Sequence, residues 1–140
     1  MKNKVIFLRI SYWFGAILDG IMVIPMLFPG IGGKMFGIKN FDPGNDYKYA
    51  MMVGASLMLG WTVLLIWADR KPVERKGIIL ITIFPVVIGM ILASVYAVRV
   101  DLIHWQNMLP TWIIQSLLLI VFFYSYVINS KKTNENGSTG

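Results

Sequence analysis

The chain has 140 residues, of which 56% are hydrophobic and only 14% charged, whereas a soluble domain is about 45–50% apolar and about 25% charged. That balance excludes an ordinary soluble globule. With no cysteine, it also excludes a disulfide framework, a thiolate metal site and a cysteine nucleophile, and leaves the redox compartment unreadable.

Four apolar stretches, 10–28, 49–69, 78–98 and 110–128, take up more than half of the chain. Each approaches the roughly 20 residues that cross about 30 Å of hydrocarbon as a helix. The expected fold is therefore all-α: one four-transmembrane-helix bundle over residues 1–130, followed by a polar, disordered tail at 131–140. What lies outside the spans is too short for a further catalytic domain. Met1-Lys2-Asn3-Lys4 mimics the start of a signal peptide, but the apolar run that follows outlasts a signal core and has no small-x-small cleavage site, so it reads as the first span.

An even number of spans puts both termini and the middle loop on one side. That side holds Lys2, Lys4, Arg9, Arg70, Lys71, Arg75, Lys76, Lys131 and Lys132, against Lys34, Lys39, Lys48 and Arg99 on the other. By the positive-inside rule both termini are cytoplasmic, in a multi-pass protein of the cytoplasmic (inner) membrane. The net charge of +6 sits at span ends rather than along one face, which argues against nucleic acid.

The first span contains Pro25 and ends at Pro29-Gly30. Beyond it an external loop carries Gly30, Gly32, Gly33 and Gly37, then the turn Asp42-Pro43-Gly44-Asn45-Asp46. Ile31, Met35, Phe36, Ile38 and Phe41 mark that loop as lying on the membrane surface or folding over the bundle. Pro85 is expected to bend the third span. Trp13 and Trp67 fall near the inner interface and Trp105 and Trp112 near the outer one; Trp61, midway along the second span, is either packing bulk or the wall of a pocket.

Asp19, midway along the first span, is the most informative residue, because a carboxylate in hydrocarbon costs at least a few kcal/mol to insert. It should face the bundle interior, flanked on its helix face by Tyr12, Gly15, Ala16, Met22, Val23 and Met26. Ala16 and Gly20 permit close helix approach. No Lys or Arg lies in the middle of another span, so the acid is either a neutral group bonded to a neighbouring helix or the seat of a proton or ligand cation. Thr82, Gly89 and Tyr96, spaced by seven, form a second stripe that either lines a cavity or shapes packing. Gln115 lies one turn from Trp112 on the outer side of the midplane, as Tyr96 does. Asp19, Trp61, Tyr96, Gln115 and Tyr12 are thus the candidate ligand-binding residues.

Other motifs fail on spacing. Gly33-Lys34 lacks the glycine and hydroxyl of a phosphate loop, with Phe28 and Met35 in their places. His104 with Asp101 falls short of a zinc ligand set, and Asp42, Asn45 and Asp46 lack the EF-hand pattern. Asn136-Gly137-Ser138 matches a glycosylation acceptor on the cytoplasmic side. No catalytic residue, metal or cofactor is expected. The loop 69–76 alternates charge and serves as a topology anchor or a site for anionic headgroups.

The block from Leu57 to Arg75, with Trp61, Trp67 and Asp69-Arg70-Lys71-Pro72-Val73-Glu74-Arg75, preceded by Gly15-Ala16-Ile17-Leu18-Asp19, resembles a group of uncharacterised prokaryotic four-helix integral membrane proteins. That resemblance, over about residues 9–126, implies a helical bundle in a prokaryotic cytoplasmic membrane and no particular activity. In helix count and its acid in the first span, the chain is also similar to small multidrug resistance transporters, which would give Asp19 the part of their proton-exchanging glutamate. The chain departs from them in its longer first external loop and in Asp for Glu. The middle loop is loosely similar to the Asp-Arg…Arg-Lys connection of major facilitator transporters, without their glycines or helix number.

Three functions follow as expectations. The protein binds or transports a small lipophilic or cationic ligand through Asp19; or it is a non-catalytic membrane component packing against other membrane proteins or a second copy of itself; or it is an enzyme on a lipid or isoprenoid with Asp19 as general acid or base. No nucleophile or paired acids in the sequence support the third.

Overall fold

The computed structural model describes residues 2–135, with side chains described from 5 to 129. The helices are α1 (Lys2–Leu27), α2 (Pro29–Met35), α3 (Asn45–Asp69), α4 (Gly77–Ile81), α5 (Ile88–Arg99) and α6 (Trp105–Glu135), with a π-helical stretch, Thr82–Val87, joining α4 to α5. The described residues contain no strand. Four segments, Val5–Leu27, Asn45–Asp69, Gly77–Arg99 and Trp105–Asn129, are long and apolar enough to cross a membrane, which marks a multi-pass membrane protein. Each extends by one to five residues beyond the apolar stretch that announced it, at one end or both, because flanking residues can continue a helix once it is nucleated. For the same reason α6 continues through residues 131–135, the first part of the segment expected to be a disordered tail. Residues 136–140, with Asn136-Gly137-Ser138, lie outside the described residues.

α1 is the central helix. It packs most extensively on α3 and next on α6, while α6 also contacts α4, the π stretch and α5. α3 packs chiefly on α1 and makes no substantial contact with α5, so its outer side, with Leu57, Leu59 and Val63, is exposed.

The core lies toward the N-terminal half of α1, where Leu8, Tyr12 and Ala16 meet Leu65, Ala68, Ile79, Ile83, Leu118 and Phe122. Gly15 is required here: a Cβ on it would come within 2.8 Å of Phe122 Cζ and 3.1 Å of Leu65 Cδ1. Hydrogen bonds clamp this end. Ser11 and Ser125 share one of 2.6 Å between their hydroxyls, and Asn129 Nδ2 donates to the Ser125 carbonyl at 2.9 Å. Asp69 accepts from Arg9 Nε at 2.8 Å and from its terminal nitrogen at 3.0 Å, and from Trp13 Nε1 at 3.2 Å. In the loop after α3, Lys71 pairs with Glu74, Arg75 lies 3.2 Å over the Trp67 ring and donates to the Trp67 carbonyl, and Lys76 reaches the Asn129 carbonyl.

Pro85 has no N–H, and its ring crowds the carbonyl four residues back. The chain absorbs it by widening into the π stretch. Through that stretch the inward line advances four residues per turn, through Ile79, Ile83 and Val87, all buried. A spacing of seven therefore does not hold one face: Thr82 is buried, Gly89 has open space beside it and Tyr96 is 68% exposed.

At the other end, α2 folds against the end of α1. Gly32 comes so close that a Cβ would sit 2.9 Å from the Pro25 carbonyl oxygen. Gly37, at φ +70°, turns the chain beyond α2, and Asn107 Nδ2 fastens that turn to α6 by donating to the Phe36 carbonyl at 3.1 Å.

Candidate functional site

The central helix carries Asp19 seven residues beyond Tyr12, about 10 Å along the axis. At that depth the neighbours of α1 leave space between them: α5 packs on α6 and makes no substantial contact with α3. A cavity of about 80 Å³ remains, lined by Leu18, Asp19 and Met22 of α1, Met35 of α2, Met58 of α3, Met90 of α5, and Thr111, Ile114, Gln115 and Leu118 of α6. Four thioethers on four elements make a wall of unbranched, polarizable side chains that adapt to irregular shapes.

Asp19 is 8% exposed and Gln115 5%, figures that matter because a buried polar group without a partner costs about 1–3 kcal/mol. Ser11, Asp69, Thr82, Ser94, Ser125 and Asn129, the other buried polar side chains, all form hydrogen bonds. Among the described residues, Asp19 and Gln115 form none, and Gln115 Oε1 is sealed from solvent. Both side chains line the cavity.

The structure brings together two of the five candidates. Tyr12 belongs to the clamp: fully buried, its hydroxyl donates to the Arg75 carbonyl at 3.0 Å and lies 3.4 Å from that of Pro72. Trp61 packs against the core rather than lining the cavity, with Nε1 buried and without a hydrogen-bond partner among the described residues. Tyr96 lies on the exposed side of α5, turned outward beyond the π stretch. On α5 the inward hydroxyl is instead Ser94, which accepts from Trp112 Nε1 at 2.8 Å and ties α5 to α6.

Sequence reasoning missed Met58, Met90 and Thr111 as lining residues. Nine methionines in 140 residues, two of them beside Asp19 on one helix face, were the available signal. It also missed the Arg9–Asp69–Trp13 contact, which joins positions about 60 residues apart. Among the described residues there is no cluster of three or more His, Asp or Glu placed to hold a metal ion.

Compared with family models, with curated proteins and with solved structures, the chain finds no match.

Proposed function

We propose that this is a small membrane protein that binds, or passes across the bilayer, a small lipophilic or cationic ligand, with Asp19 as its polar anchor. One observation carries the reading: the two buried polar side chains that have no hydrogen bond among the described residues, Asp19 and Gln115, line the same apolar cavity. Six other buried polar side chains are hydrogen-bonded, and the buried, unpartnered Trp61 Nε1 packs at the core rather than in the cavity, so two unmet groups gathered at one cavity suit a molecule that completes them. The same proposal places both termini in the cytoplasm, from the basic residues at the ends of the spans, and the protein in a prokaryotic inner membrane, in keeping with the four-helix proteins it resembles.

The test is thermal unfolding of the purified protein in detergent against lipophilic cations, quinones, sterol-like compounds and lipids, with Asp19→Asn alongside. A compound that raises the melting temperature of the wild type and not of the variant supports the reading. If no compound raises it, the reading fails.

A second reading, a non-catalytic component that packs against another membrane protein or a second copy of itself, is favoured by α3. It has Ser56 and Gly60 on its exposed side, small enough for another helix to approach closely. Crosslinking from a cysteine at Gly60 in native membranes tests it.

A further inference from the structure

Met22, Met35, Met58 and Met90 come from four separate elements, α1, α2, α3 and α5, and line one cavity of about 80 Å³ together with Asp19. Met22 stands one turn from Asp19 on the same face of α1. Met58 and Met90 belong to α3 and α5, helices that make no substantial contact with each other. A methionine has three rotatable bonds and a polarizable sulfur, so side chains that share a wall can turn their thioethers onto one guest. Thioethers are soft donors, which hold soft metal ions and leave hard ones to oxygen. The cavity therefore carries a donor set that needs neither histidine nor cysteine.

Resting on the reading of Asp19 as the anchor of a cationic ligand, we propose that the cation is a soft monovalent metal ion, Cu(I) or its analogue Ag(I). The thioethers of Met22, Met58 and Met90 hold it, the Asp19 carboxylate supplies the counter-charge, and Met35, which is 44% exposed, stands at the rim. The charges balance. One monovalent ion against one carboxylate leaves no net charge in an apolar interior where charge is costly, since no lining residue is basic. A divalent ion leaves one positive charge there. Hard ions are poorly served as well: Ca²⁺ takes about six to eight oxygens, whereas the wall offers the Asp19 carboxylate and the Thr111 hydroxyl, with Gln115 Oε1 sealed from solvent. Zinc is held by cysteine, histidine and carboxylate, of which this wall has a single carboxylate.

The experiment uses the full chain in chloride-free detergent buffer, with silver nitrate as the probe because Ag(I) needs no reductant. Native mass spectrometry counts the ions bound per chain, and thermal unfolding reads the stabilisation that binding to the folded state brings. The wild type takes up a single Ag(I) and melts higher with it, and Zn²⁺ does neither. Met58→Leu combined with Met90→Leu conserves side-chain volume and with it the fold, and loses both the bound ion and the shift. Met52→Leu, at an exposed position of α3 outside the cavity lining, keeps both. Asp19→Asn needs a higher silver concentration for the same shift.

A wild type that takes up no Ag(I), a result that needs no variant, overturns the inference. So does binding that the Met58 and Met90 substitutions leave unchanged, or that Met52→Leu weakens equally. In each case a lipophilic compound that stabilises the wild type through Asp19 leaves the cavity reading standing, with the methionines as its apolar wall. Silver binding unchanged by Asp19→Asn takes Asp19 out of the site and brings down the inference and the cavity reading together.

Discussion

Around Tyr12, small residues let α1 sink against Leu65 and Phe122, and hydroxyl, indole, guanidinium and carboxylate groups are joined to one another across helices. Two turns further along the same helix, Asp19 faces a cavity and has no hydrogen-bond partner among the described residues. Both regions lie on one helix with similar neighbours in sequence, so helix propensity and hydrophobicity do not account for the difference. The neighbouring helices differ: at the Tyr12 end Leu65 of α3 and Leu118 and Phe122 of α6 pack on α1, while α3 and α5 make no substantial contact with each other. On the proposed reading, the clamped end carries stability through hydrogen-bonded side chains, and Asp19 and Gln115 are left for a ligand to complete.

If that contrast is right, substitutions should separate by region. Phe122→Ala, at the centre of the clamped end, has the largest effect, a loss of about 3 kcal/mol read from denaturant or thermal unfolding in micelles. Gly15→Val forces a side chain into the space of Phe122 Cζ and costs about 2 kcal/mol, measured in the same way. Tyr12→Phe removes the donor to the Arg75 carbonyl and costs about 1 kcal/mol, with loop 70–76 becoming more open to proteolysis. Gln115→Leu removes an unmet acceptor, and in unliganded protein it is neutral or stabilising by up to about 1 kcal/mol. A loss from Gln115→Leu as large as that from Tyr12→Phe would erase the distinction between the two regions.

The spans could be read from sequence because a 20-residue apolar run has few alternatives to a membrane-crossing helix. Asp19 stood out for the related reason that an acid there is costly and hence informative. The contacts that shape the two regions were beyond such reading. Arg9 and Asp69 are paired by the antiparallel depth of α1 and α3, which no local pattern records; each had served only as a charge near a span end. Tyr96 shared a spacing with Thr82, yet the π stretch around Pro85 takes up extra residues and turns the later positions away. Trp61 left two readings open; the structure packs it against the core, apart from the lining of this cavity. Asp19 and Gln115 were chosen for separate reasons, their polarity within apolar runs, and only the packing of α1 against α6 shows that they line one cavity.

The most direct measurement is the melting temperature of an Asp19→Leu, Gln115→Leu double variant against wild type, both without ligand. If the two polar groups are held unmet for a ligand, replacing them with apolar side chains of similar size removes a cost, and the double variant melts at or above the wild-type temperature. A double variant that melts several degrees lower would show that Asp19 and Gln115 stabilise the fold, and would contradict the assignment of this cavity as a binding site.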